Sequence, residues 1–484
     1  MNVHTPNWAR HAVFYQIFPD RFAPSPRTRH LPGLTFRPWG SPPEEQGFHG
    51  GDLRGVVDRL DYLEELGINA LYLCPIFASA ANHRYHPYDY FKVDPLLGGD
   101  QALGELLVAA HGRGMKVVLD GVFNHASRGF WPFHHILENG GDSPYLDWFI
   151  IHDWPLRAYH SDHVNPCNYE AWVGLPMLPK LNTANPGVRE MILECTRHWL
   201  AFGIDGWRLD VPNEIDDPEF WRDFRRVAKE VNPQAYLCGE IWVDAREWLQ
   251  GDRFDGVMNY LFTWPVLSFF GRRTLNTAYP EQHPHIGLKA LQAPAFAKAM
   301  EQTLQLYPRA VTEVQMNLIG SHDTARALWM VGGDRSALEL AVLMQMTFPG
   351  APCIYYGDEI GLTGGHDPYC RGAFPWERSE EWDRQLLEHY RRAIALRHAH
   401  PVLRTGDFAT LHAQDDLYAF ARQLEGTKAV VAFNAARETA EVELPVSAGH
   451  LEEVWPGDGQ APSVNGGKIK LTLPARQGRV LVGH

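Results

Sequence analysis

Arg208 and Asp210 stand two residues apart inside an apolar run, "GIDGWRLDVPNEI" at 203–215. Side chains alternate across a strand, so this pair shares one face, opposite Trp207, Leu209 and Val211. An unpaired charge in an interior is expensive, so the two call for a use. Other apolar runs end in polar residues too: Asp120, Asn124 and His125 in "DGVFNH", Glu240 in "GEIW", His322 and Asp323 in "IGSHDT". Any one of these reads alone as a helix cap, a turn former or a satisfied histidine. Four carboxylates, one arginine and two histidines at successive strand ends read together as one site for carboxylate acid–base chemistry. A metal centre is the chemical competitor, with His83, His86, His125 and His322 available. The chain has no HExxH motif, and Arg208 beside Asp210 would oppose a cation. No metal ligand set is therefore assigned.

Eight short apolar runs carry these residues: 13–19, 68–75, 116–123, 204–211, 235–242, 254–261, 314–322 and 352–359. Helical patterns lie between most of them. "DLRGVVDRLDYLEELG" (52–67) spaces Leu53, Val56, Val57, Leu60, Leu63 and Leu66 on one face and closes at Gly67. Segments 100–114 and 336–348 read similarly. Buried strands alternating with amphipathic helices predict a parallel sheet, and eight of them a (β/α)8 TIM barrel. An open doubly wound sheet is the alternative, but no GxGxxG or GxxxxGK[ST] phosphate loop is present. All the polar strand ends would then open on one face of the barrel.

Two stretches break the alternation. Residues 124–183 are rich in His, Pro, Trp and Asn, and predict a small inserted domain after strand 3. From 401 to 484 short strands alternate with Gly and Asn turns, a C-terminal antiparallel β-sandwich. The barrel would take 1–123 and 184–400.

The 484 residues suffice for two or three domains. Hydrophobic residues make 45% and mean hydropathy is −0.30, the balance of a soluble globular chain. No run of 18 apolar residues and no leader pattern appears, which predicts no membrane partner and a cytoplasmic protein. A net charge of −14 argues against a nucleic-acid partner. Six scattered cysteines without a CxxC pair read as reduced thiols.

"DGVFNH" (120–125), "GWRLDV" (206–211), "GEIW" (239–242) and "IGSHDT" (319–324) resemble, in order, the four main sequence regions of the α-amylase family of glycoside hydrolases. "LPKLN" (178–182) resembles a further region. Within the family, "NHRY", "DVPNE" and "YYGDEIGLTGGHDPYCR" (355–371) look most like cyclomaltodextrinases, neopullulanases and maltogenic amylases. The resemblance implies Asp210 as nucleophile, Glu240 as general acid/base and Asp323 as the third carboxylate. Retaining enzymes set two carboxylates about 5–5.5 Å apart. Arg208 would keep Asp210 ionised, and Glu240 would have to start protonated. Tyr85 would stack on the sugar with His83 nearby, His125 and His322 would hydrogen-bond its hydroxyls, and Asp367 and Arg371 would bind further along the glucan. Trp242 would either stack on substrate or simply pack.

The resemblance implies an α-glucan substrate: cyclodextrins, pullulan, maltooligosaccharides or starch, cut at α-1,4 and also α-1,6 bonds. A glucanotransferase or an α-glucosidase would use the same residues. Exo-acting α-glucosidases commonly have Asp after the stacking Tyr, where this chain has His86. The first barrel strand begins near Ala12, without the extra N-terminal β domain of cyclomaltodextrinases, so monomer and homodimer both stay open. No cofactor is required. "APSPRTRHLPG" lacks the Asn/Asp-rich calcium loop of some relatives, and a structural calcium, with Asn124 as a contributor, stays open.

Overall fold

The computed structural model describes residues 3–159, 166–446, 450–457 and 463–483. Eight parallel strands form its centre: β1 (Phe14–Ile17), β2 (Ala70–Leu73), β3 (Lys116–Gly121), β4 (Gly206–Leu209), β5 (Tyr236–Gly239), β6 (Gly256–Val257), β7 (Met316–Leu318) and β8 (Ala351–Tyr355). Neighbours pair from β6 back through β1 and on to β8 and β7. A parallel bridge between Met258 and Met316 brings β6 to β7, supported by Asn259 N–H donating to the Met316 carbonyl at 2.8 Å. The closed barrel expected from the sequence is the one observed, and the open doubly wound sheet is set aside. Most of its strands are buried along their whole length, as parallel strands under a coat of helices must be.

The strands are shorter than the apolar runs, because the last residues of each run bend away into the site. Asp210 lies one residue beyond β4. Val211 does not continue the outward face: it takes φ 34°, ψ 52°, the left-handed region that a β-branched residue seldom enters. The segment 52–67 is two helices, Leu53–Val57 and Leu60–Leu66, rather than one. Gly55 sits so close to the Ala23 carbonyl that a Cβ would come within 1.9 Å of its oxygen. Asp58, at the break, accepts from Ser25 Oγ (2.6 Å) and pairs with Arg27 (2.6 Å). Tertiary packing of the loop after β1 thus overrides the helical period.

A hairpin that the sequence pattern did not suggest follows β2, pairing Phe77–Ser79 with Pro87–Val93. Its tip carries His83–His86. Arg84, buried at φ 59°, fixes that tip by donating to Asp94 (2.9 Å) and to the Asn82 carbonyl (2.6 Å). After β3 the inserted stretch holds one nine-residue helix, Trp131–Asn139, and several antiparallel bridges, including His125–Lys180 and Ala171–Pro179. Phe133, Phe149 and Tyr169 form its small core, with ring centroids 4.9 and 5.0 Å apart.

At the C-terminal end, five antiparallel strands, in the order 407–414, 417–424, 427–434, 477–483 and 451–455, face a two-stranded sheet of 440–445 and 468–473. Val442, Leu444, Ile469 and Leu471 fill the space between the sheets. The other face of the larger sheet packs on the barrel through Phe408, Tyr418 and Phe420, against Phe348 and Phe296.

Candidate active site

Arg208, on β4, is fully buried and points into the barrel mouth. Its guanidinium is the hub of the site. Nη1 donates to Asp120 Oδ1 and Oδ2 (2.9 and 3.1 Å) and to Asp210 Oδ1 (3.0 Å). Nη2 lies 2.8 Å from Glu240 Oε2 and 3.8 Å from Asp323 Oδ2. Nε–H meets the Met258 sulfur at 3.4 Å. The carboxylates come from the ends of β3, β4, β5 and β7, so only barrel closure brings them together.

Burial pushes the carboxyls of Asp120, Asp210, Glu240 and Asp323 above their ordinary range, most strongly for Asp210, and Arg208 opposes the shift at each. The expected lowering of Asp210 by Arg208 is thus present but outweighed by burial. Four carboxyls around one cation cannot all ionise cheaply, so the group holds protons and titrates as a unit. Two further donors converge on Glu240: Trp242 Nε1 to Oε1 (2.9 Å) and Val211 N–H to Oε2 (3.1 Å). The left-handed turn at Val211 aims that N–H. Asp323 keeps 27% of its side chain open, the most accessible of the four.

His322 is fully buried, with both ring nitrogens engaged. Gln16 Nε2 donates to Nδ1 (2.7 Å), which leaves the proton on Nε2, aimed at the Tyr85 hydroxyl. Tyr85 passes the chain on to Asp120 Oδ2 (2.8 Å), which also accepts from Tyr72 (2.7 Å). His322 and Tyr85 lie with rings parallel, 5.2 Å apart. Burial holds His322 well below its usual pKa and His125 at about 3, so both are neutral. His125 contacts the Tyr85 carbonyl through Nε2 (3.1 Å) and Asn124 through Nδ1 (3.3 Å). The latter contact is the weaker one and the atom a hydroxyl could take over.

The remaining residues of the sequence reading also gather here. His83 Nδ1 accepts from Tyr85 N–H (3.1 Å). Arg371 Nη1 pairs with Asp367 (2.9 Å), its Nη2 lies 3.7 Å from Asp323, and its Nε donates to the His322 carbonyl (3.0 Å). Trp242 packs one face on Tyr260, with centroids 3.8 Å apart, while its N–H holds Glu240. Gln16, Tyr72, Arg84 and Met258 went unnoticed in the sequence. Gln16 had a signal, an amide inside the apolar "FYQI" of β1; the others look ordinary until their partners are known. Among the described residues no group of three or more His, Cys, Asp or Glu side chains could hold a metal.

Residues 16–383 match the family model of the α-amylase catalytic domain, and 406–481 that of the α-amylase C-terminal domain. The chain is 43% identical to neopullulanase 2 of Thermoactinomyces vulgaris, over 99% of this chain and 78% of that protein. It is 46% identical to a cyclomaltodextrinase of a Bacillus species, over 84% and 69%. The solved structure of a debranching enzyme from Nostoc punctiforme superposes with a TM-score of 0.91 at 46% identity, covering all of both chains. With its barrel, its carboxylates at the strand ends and this similarity along nearly its whole length, the chain belongs to the α-amylase family of glycoside hydrolases.

Proposed function

We propose that this protein hydrolyses α-1,4-glucosidic bonds, and α-1,6 bonds as well, in cyclodextrins, pullulan, maltooligosaccharides and starch, with retention of anomeric configuration. The observation that carries the reading is the single Arg208 guanidinium in reach of Asp120, Asp210, Glu240 and Asp323. Retention requires Asp210 ionised and Glu240 protonated when substrate is bound, and Arg208, hydrogen-bonded to Asp210 at 3.0 Å, supplies the positive charge that stabilises the ionised nucleophile. Asp210 attacks the anomeric carbon as Glu240 gives its proton to the departing glycosidic oxygen. Glu240, now ionised, takes a proton from water, whose oxygen attacks the same carbon and displaces Asp210. Arg208 supplies the positive charge that the carboxylates need, so the scheme routes no step through a metal.

Asp323 and Tyr85 contact the reacting sugar, His125 and His322 its hydroxyls, with His322 also holding Tyr85 in place. Asp367 and Arg371 bind the next residues of the glucan, His83 supports Tyr85, and Trp242 positions Glu240. The six unpaired cysteines, five of them buried, support a reducing compartment, the cytoplasm. Names of the relatives support the substrate class.

Incubation with cyclodextrin, pullulan, starch and maltotriose, with products resolved by chromatography, tests the reading. Opened cyclodextrin, panose from pullulan, and maltose and glucose are expected, released as α-anomers in early NMR spectra. Activity on a disaccharide alone would overturn it. Transfer products exceeding hydrolysis products on maltotriose would replace hydrolase with glucanotransferase.

A further inference from the structure

β1 carries one amide, Gln16, and it is fully buried. Its backbone is clamped between β2 and β8, level with Tyr72 and Tyr355, and its carbonyl accepts from Tyr356 N–H at 3.0 Å. A polar side chain held this deep needs partners. Its nitrogen has two: His322 Nδ1 at 2.7 Å and the Cys74 sulfur at 3.4 Å. Neither the nucleophile nor the acid touches it, so the scheme proposed above gives it nothing to do.

Proton positions follow from the far end of this network. Asp120 accepts from Arg208 (2.9 Å), Tyr72 (2.7 Å) and Tyr85 (2.8 Å). Tyr85 has a single hydroxyl proton. Once that proton is given to Asp120, the Tyr85 oxygen can only accept from the His322 Nε2 that it touches. Asp323 Oδ1, 3.2 Å from Nε2, asks for a proton on the same nitrogen. A neutral imidazole carries one N–H, so Nδ1 is then bare and needs a donor. The Gln16 N–H is that donor. Every link thus points one way: Gln16 to His322, His322 to Tyr85, Tyr85 to Asp120.

We propose that Gln16 is a positioning residue for the reaction: by donating to Nδ1 it commits His322 to the Nε2–H tautomer, and this sets the direction of the relay that ends on Asp120 and, through it, on Arg208. The inference rests on the α-glucan reading of the carboxylate site. Without the amide, the imidazole proton is free to move to Nδ1. The Tyr85 hydroxyl then turns to the bare Nε2, and Asp120 loses one of the donors that hold it against Arg208. His322 also meets the sugar as an acceptor instead of a donor. Binding at Asp367 and Arg371 is untouched, so the damage falls on kcat more than on KM.

Gln16→Met tests it, because it keeps the length of the side chain and removes the donor. On maltotriose, kcat is expected to fall about fivefold to thirtyfold, the worth of one buried hydrogen bond, with KM within about threefold of wild type. Tyr85→Phe breaks the same relay further on, so the double variant should lose little more than the worse single one. Losses that multiply, or a kcat within twofold of wild type in Gln16→Met, overturn the role; a side chain that only packs would lower Tm without such overlap. Nitrogen-15 NMR of the histidine-labelled wild type reads the tautomer with Gln16 in place, the His322 signals being those missing from His322→Asn. A protonated Nε2 and a bare Nδ1 are expected. A proton on Nδ1 overturns the proposal, whether or not Gln16→Met folds. If the wild type cleaves no α-glucan, the catalytic reading fails separately, and the same spectrum still decides the direction of the relay.

Discussion

Arginines are buried in two places, and their surroundings are opposite. Arg208 at the barrel mouth faces four carboxylates. Arg397 and Arg422, beneath the C-terminal sheet, face no carboxylate at hydrogen-bonding distance among the described residues; backbone carbonyls surround them. Arg422 donates to Thr347 and Leu403 (both 2.6 Å) and Gly406 (2.9 Å), and Arg397 to Met346 (3.0 Å) and Gly350. The acidic partners hold Arg208 above its usual pKa, whereas burial depresses Arg397 and Arg422. Both arrangements satisfy a guanidinium. Carbonyl dipoles fix two domains together and leave nothing to titrate, so that junction is structural. A cluster with more carboxyls than cations must hold protons that can move, which is what acid–base catalysis requires.

The contrast breaks most visibly at the carboxylates. Asp210→Asn and Glu240→Gln are each expected to lower kcat by about 10⁴-fold or more while circular dichroism and Tm stay close to wild type. Residual activity within a hundredfold of wild type would move the site elsewhere.

Arg208→Met against Arg422→Met comes next. Removing Arg208 strands buried carboxylates, and the loss should be about 3–5 kcal/mol at pH 7 by denaturant unfolding. It should be smaller at pH 5, where protonated carboxyls need no counter-ion, and kcat should fall about 10³-fold. Arg422→Met should lower stability with no such pH dependence, and kcat per folded molecule should stay within twofold. A matching loss of kcat in Arg422→Met would erase the distinction drawn here.

A third carboxyl sharpens it from another side. Glu359, just after β8, accepts from Tyr15 (2.7 Å) and Tyr62 (2.6 Å) on one oxygen and, among the described residues, has no cation paired with it. Burial pushes it up to about 7 from 4.5, and Asp358, paired with Arg326, up to about 6. A folded pKa above the unfolded one gives stability that is complete below the unfolded pKa and lost as pH rises through the folded one. These two carboxyls should therefore contribute a loss of stability between pH 4 and 8, with about 3 kcal/mol of it due to Glu359. Glu359→Gln should remove that share of the slope in unfolding titrations; an unaltered slope would falsify the assignment. The same sign holds at the site, where both limbs of the kcat/KM profile should lie above ordinary carboxylate values.

The smallest effect is expected from Tyr72→Phe, which takes one donor from Asp120. A loss of about 1 kcal/mol, roughly fivefold in kcat/KM, would place Tyr72 in the network that holds Arg208. A change below twofold would leave Tyr72 as packing.

Much of this was legible without coordinates. Charged residues at the ends of apolar runs are anomalies that the hydrophobic pattern alone exposes, and Arg208, Asp210, Glu240 and Asp323 were found that way. Gln16 bonds His322 across 306 residues, and Arg84 works only because its hairpin tip turns left-handed beside Asp94. Arg84 does not depart from what a loop commonly contains, and the one signal at Gln16 is an amide inside an apolar strand.

The sequence by itself determined the barrel, the β domain after it, and which carboxylates face the mouth, because strand and helix periods are local and a buried charge is conspicuous. Only the tertiary structure decided that one guanidinium serves all four carboxyls, that burial outweighs Arg208 at Asp210, and that Val211 turns its N–H toward Glu240. Those outcomes depend on distance and desolvation across elements far apart in the chain, quantities that no residue carries alone.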